Sequence, residues 1–207
     1  MTARTRRGLF SALAIIVALA WVFPVYWMVN SAFLPNIILQ SFIPTFFPVK
    51  ATLSNFTGAL ADGSFFSALG MSVAITLTVV VFCLLFAFLA AIAISRFRFR
   101  GRRSFVIAVL IVQMLPAEGL FIAQYKMVAS VGLLDSVLGV SVIYIAAVVP
   151  FTIWMLRGFV AGIPADLEEA AMVDGLSRFG AFMRITFPLL APGLVASGVY
   201  AFLQAWN

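Results

Sequence analysis

The sequence contains no histidine and one cysteine among 207 residues. A zinc site built from His and Cys is therefore excluded, as is an internal disulfide. Cys83 lies inside an apolar run and reads as a small packed residue. Charge is scarce too: 10% of residues are Asp, Glu, Lys or Arg, against about 25% in a soluble globular domain. No Gly-x-x-x-x-Gly-Lys-Ser/Thr stretch occurs, so the phosphate-cradling loop of an ATPase is absent. No nucleophile–base set and no paired intramembrane carboxylates support an enzyme. What remains is apolar length: 64% of residues are hydrophobic and the mean hydropathy is +1.16. This is the composition of an all-α polytopic membrane protein. The net charge of +6 does not indicate nucleic acid, because the basic residues flank apolar runs instead of forming a basic domain.

A helix crosses a bilayer core with about 20 apolar residues. Five stretches qualify or nearly do, at about Leu9–Phe33, Leu69–Ile94, Ser104–Gln124, Val137–Leu156 and Leu189–Asn207. The first is too long for a signal peptide, whose apolar core has about 7–15 residues, since no charge occurs from Gly8 to Val49. Residues 1–207 read as a single membrane domain. Eleven of the 13 Lys and Arg residues fall at the amino terminus, in the cluster Arg96, Arg98, Arg100, Arg102 and Arg103, or at Arg157, Arg178 and Arg184; Lys50 and Lys126 are left for the other side. The positive-inside rule places the amino terminus, the arginine cluster and residues 157–188 in the cytoplasm, with 34–68 as an external loop. The five arginines read as topology anchors at lipid phosphates.

The cytoplasmic segment is where the few acids concentrate. In IPADLEEAAMVDGLSRFGAFMRITFP, Pro164 suits a first helical turn, and Asp166, Glu168 and Glu169 fall at the positive end of the helix dipole. Leu167, Ala170, Ala171 and Asp174 recur on one helical face. Gly175 suits the left-handed residue after a helix. Ser177 suits the cap of a second helix running to about Phe187, with Pro188 turning into the last span. Two short helices joined at a glycine elbow are expected, rigid and acidic enough to transmit a push from a soluble partner.

This segment resembles the EAA motif of permease subunits in ABC importers: Glu169, Ala170, Ala171, Gly175, Ile185 and Pro188 match at the family spacing, with Phe187 in place of the usual Leu. The wider chain, through ISRFRFRGRR, GLLDSVLGVSVIY and PFTIWMLRGF, is similar to the MalG-like branch of carbohydrate importers. The resemblance implies a type I ABC importer transmembrane domain in a bacterial inner membrane, five of six spans being present. The chain then reads as truncated at the carboxyl end. It further implies two ATP-binding cassette subunits holding ATP and Mg, a second permease, and an extracytoplasmic solute-binding protein. No cofactor is expected on this chain. Glu168, Glu169, Ala170, Ala171, Asp174, Gly175, Ile185 and Pro188 would form the coupling loop, with Glu169 paired to a basic residue of the ATP-binding subunit.

The implied function is import of a sugar or oligosaccharide. A permease for a polyamine, amino acid or phosphate has the same loop. An ATP-independent carrier or a structural membrane protein has no need of an acidic elbow. Weaker candidates for the solute path are Tyr200, Gln204, Trp206 and Asn207 in the last span, whose Gly193, Ser197, Ala201 and Ala205 repeat every four residues as a packing stripe. Glu118 is a further candidate, as an ionisable residue within a span. It lies about 21 Å from Ser104 along a helix and so toward the outer interface.

Overall fold

In the computed structural model, the structure describes residues 3–207; the side chains of residues 3–5, Ala117 and Glu118 fall outside the description. Among the described residues the chain forms helices α1 (Ala3–Ala32), α2 (Asn36–Leu39), α3 (Ser54–Ala61), α4 (Gly63–Arg96), α5 (Arg102–Gln113), α6 (Ala117–Ser130), α7 (Val137–Ala161), α8 (Asp166–Val173), α9 (Arg178–Ala181) and α10 (Phe187–Trp206), with a π-helical turn at Phe182–Thr186. Among the described residues, four helical stretches are long and apolar enough to cross a membrane: Arg6–Ala32, Gly63–Arg96, Val137–Ala161 and Arg178–Trp206.

Two expectations change. The stretch Ser104–Gln124, read as one span, is broken between α5 and α6 at Met114, Leu115 and Pro116. Pro116 has no N–H, its ring crowds the carbonyl four residues back, and it pushes the preceding residue out of the α region. At 12 and 14 residues, neither helix covers a core of about 30 Å at 1.5 Å per residue. Pro188 makes no turn: the chain runs through the π-helical turn into α10 without a break. The wider turn, in which the Phe187 N–H reaches Phe182 O, relieves the crowding that the proline ring imposes on the Arg184 carbonyl.

The chain groups into two compact units, Met1–Ala68 and Leu69–Asn207. In the first, the loop after α1 is tied back onto that helix. Asn30, 3% exposed, donates to Thr45 O (2.8 Å), and Tyr26 donates to Phe46 O. Asn55 on α3 donates to Ala32 O and Leu34 O (3.0 and 2.8 Å), satisfying carbonyls that the end of α1 leaves orphaned. Asp62 accepts from the Ser64 N–H (3.0 Å), which caps the start of α4 and holds its carboxyl below the usual range.

In the second unit, α4, α7 and α10 share a core of Ala87, Ala91, Ile94, Ile153, Leu156, Val160 and Leu190. Contacts at Phe159–Gly193 and Met155–Ser197 (3.3 Å) run in opposite senses along the chain, so α7 and α10 are antiparallel. Cys83 is buried and reaches Thr152 Oγ1 at 3.3 Å, as expected of a packed thiol. Gly193, Ser197, Ala201 and Ala205 are all buried, and they let the helices approach closely. A Cβ on Gly193 would lie 2.6–2.9 Å from Phe159 Cγ, Cδ2 and Cβ. Gly193→Val is therefore expected to cost about 2 kcal/mol through overpacking and to lower Tm in detergent by several degrees; an unchanged Tm contradicts this packing.

Candidate functional site

Helix α8 begins at Asp166, with the Glu168 and Glu169 N–H groups bonded to Ala165 O (2.9 and 3.2 Å). Pro164 thus precedes the helix instead of entering its first turn, and its carbonyl accepts from Leu167 N–H (3.4 Å). All three acids occupy the first turn, where the helix dipole favours negative charge. At the other end, Leu176 N–H bonds to Ala171 O and Gly175 N–H to Met172 O, both 3.1 Å. Gly175 has φ +94. The pair of bonds and the left-handed glycine form a Schellman ending. Ser177 then caps α9 by accepting from Gly180 N–H (3.1 Å). The elbow expected from sequence is present, with its bend at Gly175.

The elbow is clamped from beneath. Glu168 Oε1 accepts from Thr186 Oγ1 at 2.6 Å and lies 3.2 Å from Arg96 Nε at the end of α4, each side chain being 15% exposed. That contact is an ion pair without the in-line N–H of a hydrogen bond. Arg96 Nη2 also donates to Ile163 O (3.0 Å). One arginine therefore holds both the entry to α8 and its third residue, while Thr186 links the same carboxylate to the π-helical turn. Arg96, read from sequence as one of five anchors, belongs to this site, and so does Thr186. Only their tertiary position marks them.

The other residues expected in the coupling loop divide by exposure. Ala171 is buried at 7%; Glu169, Ala170, Asp174, Gly175 and Pro188 are exposed, and Ile185 is half-buried. Val173 and Phe179 stand 87% and 74% exposed on the same elbow. A groove of about 510 Å³ is lined by Arg96, Glu168, Glu169, Met172, Arg178 and Phe179, among others.

The solute-path candidates are not all brought together. Tyr200, its ring 4.6 Å from that of Phe151, and Gln204 line a cavity of about 490 Å³ with Gln113, Gln124 and Tyr144. Trp206 stacks on Phe202 at 5.5 Å and Asn207 ends α10; neither lines that cavity. The Glu118 side chain lies outside the described residues.

The described residues form an all-α architecture with several helices able to cross a membrane and an acidic helical elbow. Comparison with known proteins gives the family. Residues 83–207 match the model described as binding-protein-dependent transport system inner membrane component. The chain is 40% identical over 194 residues to the diacetylchitobiose uptake system permease protein DasC of Streptomyces coelicolor, covering 94% of this chain and 70% of that protein. It is 32% identical over 184 residues to the trehalose transport system permease protein SugB of Mycobacterium tuberculosis, covering 89% and 66%. A solved bacterial ABC transporter involved in import of the acidic polysaccharide alginate superposes with a TM-score of 0.80 at 25% identity, over 100% of this chain and 74% of that one. The chain belongs to the family of binding-protein-dependent transport system inner membrane components, and its fold is that of a type I ABC importer transmembrane domain.

Proposed function

We propose that the chain is the permease subunit of an ATP-driven importer for a sugar or oligosaccharide. Its partners would be two ATP-binding cassette subunits that carry ATP and Mg, a second permease and an external solute-binding protein, with the amino terminus in the cytoplasm. The observation that carries this reading is the α8–α9 elbow. Its exposed face offers Glu169 with the apolar Val173 and Phe179, a surface suited to a cleft with a basic rim. Its inner face is tied through Glu168 to α4 and to the root of α10. ATP binding drives a rearrangement only to the extent that it stabilises one arrangement more than the other. An elbow gripped outside and clamped inside converts closure of the ATP-binding subunits into movement of α4 and α10. The sugar class is supported by the diacetylchitobiose and trehalose permeases among the relatives.

The test is to purify the tagged full-length gene product from its native membrane and to assay uptake in proteoliposomes. Co-purification of an ATP-binding subunit and a second permease is expected, with uptake of a neutral sugar from a panel containing diacetylchitobiose, trehalose and maltose. A protein that isolates alone, or an assembly that transports only putrescine, an amino acid or phosphate, overturns the corresponding part. Glu169→Lys is expected to reduce uptake at least tenfold with the permease still at normal membrane levels. Truncating one partner of an interfacial charge pair costs about 2–5 kcal/mol. Wild-type uptake removes Glu169 from the docking surface.

A further inference from the structure

The arginines of the 96–103 cluster share one expected role as anchors, yet the fold separates them. Arg96 is taken up by the clamp, and Arg98 and Arg100 stay exposed. Arg102 and Arg103, in the first turn of α5, line a recess of about 660 Å³ together with Arg157, near the end of α7. Residues remote in sequence thus put three guanidinium groups around one space.

Arg102 and Arg157 are half-buried. Among the described residues the only salt bridge is the one at Arg96. The Arg157 guanidinium lies over the Trp154 ring, 5.1 Å from its centroid, a contact that fixes its position and leaves its charge in place. The backbone of Glu118 belongs to another region of the bundle. Its chain neighbours Leu115 and Leu120 line a cavity with Tyr144 and Val148, roughly 14–20 Å from Arg157 along α7 at 1.5 Å per residue.

The backbone adds donors to the recess. Gly101, with φ +89, starts α5 without a side-chain cap. The N–H groups of Arg103 and Ser104 have no protein acceptor among the described residues, and both residues belong to the lining. Such first-turn N–H groups, at the positive end of the helix dipole, favour an anion. The remaining wall is apolar: Phe99 and Ile107 are each 46% exposed, and Val106 completes it. A free inorganic anion gains nothing from that wall. An amphiphile does, its head meeting the guanidiniums while its chain lies along α5.

We propose that the recess binds the phosphate of an anionic phospholipid, with Arg102, Arg103 and Arg157 around the headgroup and Phe99, Val106 and Ile107 against the acyl chain. Guanidinium groups bind phosphate oxygens through paired, charge-assisted hydrogen bonds. A lipid held there bridges the start of α5 to the last turns of α7, the helix that leads into the elbow. The proposal depends neither on the solute nor on the partner subunits.

The test uses the full-length gene product as isolated from its membrane, stripped of lipid in a nonionic detergent. It is titrated with phosphatidylglycerol or phosphatidylcholine, and bound lipid is counted by native mass spectrometry. Phosphatidylglycerol is expected to bind roughly tenfold more tightly than phosphatidylcholine, and Arg102→Gln/Arg157→Gln to lose that preference. Arg98→Gln/Arg100→Gln removes the same charge outside the recess and should keep it. Should the first pair fail to reach the membrane, Arg102→Gln/Arg103→Gln, which leaves Arg157 on Trp154, is judged on the same criterion. Equal binding of the two lipids, or equal losses in the recess and control pairs, means diffuse surface charge and overturns the site. Inorganic phosphate in large excess separates the two sources of the anion. Retention of phosphatidylglycerol supports the lipid site; its displacement assigns the recess to free phosphate and overturns the lipid.

Discussion

Replacing Gly175 with proline is expected to abolish ATP-driven uptake, with the second unit still folded. Gly175 adopts φ +94, and proline is confined near −65°. The substitution also deletes the N–H that bonds to Met172 O at 3.1 Å, so the Schellman ending unravels and the bend between α8 and α9 is lost. Crowding plays no part, because a Cβ at this position meets nothing within 4 Å. Gly175→Ala therefore isolates the backbone effect: it carries a left-handed penalty of about 1–2 kcal/mol and should retain part of the activity. Solute-stimulated ATP hydrolysis by the reconstituted importer gives the readout. Normal stimulation in Gly175→Pro would show that the bend has no part in coupling.

Charge reversal at Arg96 has the second large effect. Arg96→Glu sets two carboxylates against each other where Nε and Oε1 now stand 3.2 Å apart, both side chains being 15% exposed. It also removes the donor to Ile163 O. Breaking a pair buried to this degree costs about 3 kcal/mol, and the elbow should detach from α4, cutting uptake at least tenfold and lowering Tm in detergent. The double variant Arg96→Glu/Glu168→Arg should recover much of both, since the opposite charges again face each other. Arg98→Glu serves as the control. Arg98 is exposed and makes no salt bridge among the described residues, so it should behave nearly as the unaltered protein. A double variant no better than Arg96→Glu, or an Arg96→Glu protein with unaltered uptake, rules out the clamp.

These two residues show different degrees of legibility. The Gly175 bend, the Ser177 cap and the three acids of the first turn could be read directly, because each acts on backbone groups within about five residues of itself. Arg96 could not be separated from Arg98, Arg100, Arg102 and Arg103 in the same way. Its partners Glu168 and Ile163 lie far along the chain, as does Thr186, which bonds the same carboxylate, and alternating arginines look alike until one is folded against a carboxylate. The polar cleft was half visible. Tyr200 and Gln204 drew notice through their span, whereas Gln113, Gln124 and Tyr144 are scattered polar residues whose convergence depends on how four helices cross.

The prolines make the same division. Pro24, Pro150 and Pro192 lie inside continuous helices, Pro188 is carried by a wide turn, and Pro116 ends one helix before the next begins. All five remove a donor, so local chemistry alone gives each the same tendency to interrupt. Which of them ends a helix and which is carried through one is seen only in the folded chain.

Apolar length, the lopsided distribution of arginine and the acid–glycine–serine order of residues 166–177 determined by themselves that this is a multi-pass membrane protein with an acidic elbow. They act through solvent transfer and through bonds to nearby backbone. The clamp that ties the elbow to α4, the break at Pro116 and the polar cleft were decided only by tertiary structure. Each depends on groups remote in sequence meeting at a few ångströms, and no local preference encodes that distance.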